Sequence, residues 1–182
     1  MPTPRPNSNA SDRGLIALTD ADLSEAAIRE RFAGLLASVA SVYERWAGDA
    51  FTQAATTTRE LAASIASGDI EPTKDHPLIA ALEGIGGEAE RVGAGLIGVG
   101  LVLDGWALQC VSFFVNEADE AAADEFREVR SALESIRAAG EKAVESEQRA
   151  AAVAAALDIV TVTYEDYVET LDGLGLDPKT VC

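Results

Sequence analysis

Apolar residues recur along most of the chain three or four residues apart, which is typical of helices that bury one face. Thr19 followed by Asp22 resembles a capping box and predicts that a first helix starts there and runs to about Ala47. One seam of this helix, with alternating spacings of four and three, holds Ile28, Phe32, Leu35, Val39, Val42 and Trp46. Such a seam is typical of helical bundles.

Glycine, proline and charged stretches divide the rest of the chain into further helices. Gly48 suits the end of the first helix, and Asp49 suits the start of the next. A break between Gly140 and Ser146 is expected to separate the last two helices, with one long helix over 118–172 as the alternative. The predicted elements are a helical hairpin at 19–67, a short helix at 78–82, a central apolar helix at 88–115, and C-terminal helices within 118–172.

These elements predict an all-α fold, an antiparallel bundle of four to six helices with disordered termini. Residues 19–172 are expected to form a single domain. Residues 1–18 are rich in Pro, Asn, Ser and Arg, and residues 173–182 contain glycine and proline. Both segments are therefore predicted to be disordered tails.

The central helix carries a single charge between Val92 and Val115, that of Asp104. An apolar segment of this length can span a bilayer. An aspartate near its middle and five glycines make it a poor membrane span. We therefore expect a helix surrounded by other helices, the most buried element of the bundle, with glycines that let its neighbours come close.

The chain has 182 residues and a formal net charge of -17, without a cluster of Lys and Arg. Binding to nucleic acid or to anionic membranes is therefore disfavoured. Cys110 and Cys182 are too few for a disulfide framework, so a cytoplasmic location is expected, with leaderless secretion as the alternative. The acidic excess is larger in the C-terminal half. It suggests, as an alternative function, an acidic inhibitor or immunity protein that binds a basic enzyme.

Residues suited to catalysis or metal binding are scarce. His76 is the single histidine, and neither a Glu-x-x-His nor a Cys-x-x-Cys motif occurs. We therefore predict no metal, no cofactor and no catalytic residue, and we expect that the chain is not an enzyme. One exception stays open: Asp104 is either a buried functional acid in a small-molecule pocket or weak active site, or a structural acid paired with Trp106, a serine or an arginine from another helix.

Trp46, Ala47 and Gly48 lie between two amphipathic helices and are followed by Ala50 and Phe51. This arrangement resembles the turn of the WXG100 family, helical hairpins that type VII secretion systems export. The resemblance implies export together with a protein partner, which the hairpin binds through apolar faces. It places Trp46, Gly48 and Phe51 at the interaction site. The Tyr-x-x-x-Asp/Glu export motif of that family does not follow the second helix.

The C-terminal helices carry two further seams. One consists of Phe126, Val129, Leu133 and Ile136, and the other of Val153, Leu157, Val160, Tyr164, Tyr167 and Leu171. Exposed apolar seams without catalytic groups predict a non-catalytic helical protein-interaction protein. Its partner would be a second copy, in a homodimer, or another protein, in a heterodimer.

Overall fold

A computed structural model describes residues 13–178, which form seven helices and no strand within that range. The helices are α1 Arg13–Leu18, α2 Glu25–Arg45, α3 Asp49–Ile65, α4 Pro77–Glu83, α5 Glu88–Asn116, α6 Glu120–Ala143 and α7 Arg149–Gly173. The all-α prediction is confirmed. The number of helices exceeds the predicted four to six because α1 forms inside the segment that was predicted to be a tail.

Helix α1 corrects the predicted tail at residues 1–18. Leu15 and Ile16 are 0% and 4% exposed, so this short helix is held by apolar burial. The Thr19 hydroxyl donates to the Leu15 carbonyl (2.7 Å) and closes the end of α1. Thr19 therefore does not cap α2. Ser24 caps it instead, because its side chain accepts a hydrogen bond from the Ala27 N–H. Of the predicted tails at 1–18 and 173–182, residues 1–12 and 179–182 lie outside the described residues.

The helices form two layers. In the outer layer, α5 lies in the middle and contacts α6 on one side and α7 on the other. In the inner layer, α2 and α3 pair through the turn at residues 46–48, and α4 contacts both α2 and α7. Helix α1 contacts α2, α5 and α7.

The first half of α5 lies unusually close to the neighbouring helix α7. Its segment Val92–Gly98 is π-helical, with bonds from each N–H to the carbonyl five residues earlier, as from Val99 to Ala94. This spacing brings Gly93 and Gly98 onto one line that faces α7. A Cβ atom at Gly93 would overlap the backbone of Ala152, and one at Gly98 would lie 3.0 Å from the Ala156 carbonyl oxygen. The glycines therefore let α5 and α7 touch backbone to backbone.

Helix α2 is the most continuously buried element, with every residue from Phe32 to Ala40 buried. The prediction that the central apolar helix would be the most buried is wrong, because α5 lies in the middle of the outer layer and leaves one side open. Two polar side chains fix α2 against its neighbours. The Tyr43 hydroxyl donates to the Gly95 carbonyl (2.7 Å), and the Arg29 guanidinium donates to the Ile65 carbonyl (3.1 Å) and to Glu125 (2.6 Å).

The break between the last two helices falls at residues 144–148, slightly later than predicted. Gly140 does not end α6. It lies inside the helix and faces α5, where a Cβ atom would be 2.7 Å from the Leu96 Cβ. This glycine serves close packing rather than helix termination.

Replacing Gly93 with leucine should destabilise the protein strongly. The new side chain would collide with the Ala152 backbone, and backbone in a packed interface cannot move aside cheaply. We expect the free energy of unfolding to fall by about 3 kcal/mol in urea denaturation.

Gly105→Ala is the matched control in the same helix. Nothing lies within 4 Å of the Gly105 Cβ position, and the residue is exposed. Alanine should raise the free energy of unfolding by about 0.5–1 kcal/mol through helix propensity. Equal effects of the two substitutions would show that the close contact between α5 and α7 is not formed.

Candidate functional site

The Trp46-Ala47-Gly48 turn joins α2 to α3. Gly48 has a φ of +131°, which glycine adopts without strain. Trp46 and Phe51 are each 5% exposed, and their rings meet edge to face with centroids 5.3 Å apart. Trp46 also lies against Gly95 of α5, where a Cβ atom would be 2.6 Å from the indole ring. These side chains pack inside the chain itself, and a role for them in binding a partner stays a prediction.

Asp104 lies on the side of α5 that faces α6. Its side chain is 27% exposed, and Arg130 of α6 donates two hydrogen bonds to the carboxylate, at 2.7 and 3.3 Å. The pair lies in an open polar depression of about 360 Å³ that Arg127, Glu134 and Arg137 also line. The hydrogen bond to Asp104 raises the pKa of the Arg130 guanidinium. Of the alternatives that the sequence left open, the structure shows the pairing with an arginine of another helix.

His76 is the N-cap residue of α4, and its Nδ1 accepts a hydrogen bond from the Leu78 N–H (3.1 Å). Its ring meets Trp106 of α5 edge to face at 5.5 Å between centroids. Its Nε2 lies 3.7 Å from the Asp166 carboxylate of α7. Burial lowers the pKa of His76, and the charge of Asp166 opposes this shift. The histidine therefore joins three helices as a largely neutral cap.

The remaining candidates for chemistry lie in structural positions. Cys110 is fully buried in α5, and burial raises the pKa of its thiol, which disfavours the reactive thiolate. Among residues 13–178, no group of three or more His, Cys, Asp or Glu side chains could hold a metal ion.

Exposed large apolar side chains concentrate on α5 and α7. In the described part of the chain eight such residues are exposed, and only Leu174 lies outside these two helices. The other seven, here called the outward face, are Leu101, Leu108 and Val115 of α5 and Val153, Leu157, Val160 and Tyr164 of α7. Leu157 is the most exposed of them, at 59%.

The α5 row of the outward face projects between the two neighbouring helices. Gly98 faces α7, and Gly100 faces α6, where a Cβ atom would be 3.3 Å from the Arg137 Cβ. Successive residues of an α-helix are about 100° apart, so Leu101 and Leu108 point between these two directions. They point away from the inner layer, and the middle helix of the outer layer thus presents leucines to solvent.

The α7 row of the outward face, which consists of Val153, Leu157, Val160 and Tyr164, points to the same side of the protein. Helix α7 contacts α5 through Ala152 and Ala156, and on one flank of this contact line Asp166 reaches His76 of the inner layer. By the same helical geometry, the α7 row lies on the opposite flank. The contacts of Gly93 with Ala152 and of Gly98 with Ala156 show that α5 and α7 run parallel. Both rows therefore border one apolar surface.

Sequence reasoning found the α7 seam but not which of its positions are covered. Its last member, Leu171, is fully buried, whereas its first four members are 36–59% exposed. The side of α7 that faces α5 instead carries small residues, Ala152, Ala155 and Ala156, together with Ile159. Hydrophobic periodicity gives most weight to large side chains, so it identified the open side of the helix rather than the packed one.

Helix α5 is, among the described residues, the one helix long and apolar enough to cross a membrane. Of its most apolar 18-residue window, 44% is buried inside the protein. Core helices of soluble proteins pass the same test of length and composition, so this property alone is weak evidence of a membrane span. Comparison of the chain with protein-family models, curated proteins and solved structures finds no match.

Replacing Asp104 with asparagine should have a small effect on stability. The ion pair with Arg130 is partly open to water, and pairs of this kind contribute less than about 1 kcal/mol. Urea denaturation should show a loss of that size, similar to that of the control Asp20→Asn in the exposed pair with Arg31. A loss above about 3 kcal/mol would mean that Asp104 is a buried acid on which the fold depends.

His76 should make stability depend on pH. Because its pKa is lowered in the folded state, the unfolded chain binds the proton more readily. The stabilising effect is complete above the ordinary pKa of 6.5 and is lost as the pH falls through the folded-state pKa.

The free energy of unfolding should therefore decrease between pH 7 and about pH 5. His76→Asn should flatten this dependence, since asparagine can cap α4 without titrating. Identical slopes for the two proteins, measured by urea denaturation across this range, would exclude His76 as the cause.

Proposed function

We propose that this chain is a non-catalytic interaction protein that binds a protein partner through the outward face. The observation that carries the proposal is the confinement of its exposed large apolar side chains, with one exception among the described residues, to a single surface. Scattered apolar residues on a surface are ordinary, but a continuous apolar surface on a soluble protein commonly marks a binding site.

The contrast between two seams of similar spacing supports the proposal. The α2 seam, which includes Phe32 and Val39, is fully buried by other helices of the chain. The α7 row has the same alternation of four and three residues, but no described helix covers it. A row of this kind suits a partner helix, whose side chains would pack between its members.

The alternatives from the sequence receive different support. A small-molecule pocket at Asp104 is less favoured, because the carboxylate is engaged by Arg130 in an open polar depression. Export with a partner in the manner of WXG-type hairpins is supported only by the resemblance at Trp46 and Gly48. An acidic inhibitor of a basic enzyme agrees with the net charge of -17 and would use the same outward face.

Site-specific photo-crosslinking tests the proposal. A photoreactive amino acid placed at Leu157 should, in cells that make the protein, yield a covalent adduct of discrete mass on denaturing gels. The same amino acid at Gln53, which is exposed on α3 and outside the outward face, is the control. Absence of an adduct at Leu157, or the same adducts at both positions, would refute binding through this surface.

A further inference from the structure

A regular row of carboxylates runs along α7, about 100° around the helix from the apolar row. Asp158, Glu165 and Asp172 are exposed and follow one another at intervals of seven residues along α7. Seven residues are close to two helical turns, so these acids lie along one side of the helix. Between them and the apolar row lie small or uncharged residues, Ala154, Thr161 and Val168.

These three carboxylates lack cationic partners among residues 13–178. Some acids elsewhere form ion pairs, as Glu44 does with Arg59 and Glu83 with Arg45, whereas these three, like Glu30 and Glu60, do not within the described part of the chain. Helix α7 contains a single basic residue, Arg149, in its first turn and more than two turns from Asp158. Among the residues that the structure describes, no ion pair therefore neutralises this row.

The C-terminal end of the outward face is both apolar and acidic. An open depression of about 590 Å³ has Tyr164 and Val168 beside Glu165, Glu169 and Asp172. A side chain with an apolar stem and a cationic end, such as lysine or arginine, matches this combination.

We propose that the outward face binds an amphipathic helix of another protein, with apolar residues at heptad spacing and lysine or arginine on the flank that meets Asp158, Glu165 and Asp172. This inference rests on the proposed function and specifies its partner. The α7 row from Val153 to Tyr164 extends for about 16 Å, or three helical turns, which suits a helix lying along it.

Charge argues against a second copy of the chain as the occupant. Each copy has a net charge of -17, and α7 offers only Arg149 to complement the acidic row of a partner copy. Like charges that meet at an interface oppose association. A cationic helix would instead neutralise the acidic row, and long-range electrostatic attraction would speed its approach.

The experiment measures binding of two synthetic helical peptides to the full chain by fluorescence anisotropy. Both peptides carry leucine at heptad spacing, and they differ only in lysine or glutamate at the flanking positions. We expect the lysine peptide to bind, more weakly at 0.5 M salt than at low salt, and the glutamate peptide not to bind.

Two pairs of variants locate the binding. Leu157→Gln should weaken binding of the lysine peptide about tenfold, whereas Ala63→Gln, which places glutamine at an exposed position of α3, should leave it unchanged. D158N/E165Q/D172N should weaken binding at low salt about tenfold more than E30Q/E60Q/D69N, which removes the same charge from exposed acids elsewhere. Circular dichroism confirms that each variant is folded.

The possible results separate this inference from the proposed function. Failure of the lysine peptide to bind, or equal effects of the two triple variants, would overturn the cationic helix as partner. If light scattering instead showed a salt-resistant dimer that Leu157→Gln disperses, the outward face would still be an interaction surface, with a second copy as its occupant. The proposed function itself fails only if crosslinking at Leu157 yields no specific adduct.

Discussion

The architecture depends on how closely α5 can be approached by its neighbours. Gly93 and Gly98 bring α7 against its backbone, and Gly140 of α6 lies against Leu96 on the other side. Small residues on both sides of one helix allow three helices to form a tight layer, with little apolar side-chain volume between them. The larger side chains of α5 must then point either to the inner layer or to solvent. Leu103 and Phe114 are buried, and Leu101 and Leu108 are exposed.

The two sides of the outer layer consequently have different roles. The inner side is fixed by specific polar contacts, such as those of Tyr43 with Gly95 and of Arg29 with Ile65 and Glu125. Side chains of the outward face contribute little to folding, because folding removes only part of their surface from water. The free energy that this surface can gain by burial is therefore still available for association, which is why it is the best-supported site of the proposed function.

Much of the fold could be predicted from the sequence, because α2 and α3 have strong periodicity, α5 is one long apolar segment, and glycine, proline or charged residues separate the helices. Helix α1 could not be predicted, since Leu15 and Ile16 are too few to form a periodic pattern and are held only by tertiary burial. Asp104 is the single charge of its apolar segment, but its partner Arg130 lies 26 residues away in the sequence and is brought near only by the α5–α6 pairing. Periodicity identifies an apolar stripe, but what covers that stripe depends on the packing of the whole chain.

The π-helical segment Val92–Gly98 also sets the rotation of everything that follows it in α5. A π-turn corresponds to one residue inserted into an α-helix, and one residue corresponds to about 100° of rotation. Deleting a single residue there would restore regular α-helical bonding and turn Val99–Asn116 about its axis by that angle. The exposed leucines would then face a neighbouring helix, and Asp104 would leave Arg130. A length polymorphism of one residue in this segment would therefore preserve the helix while removing the surface.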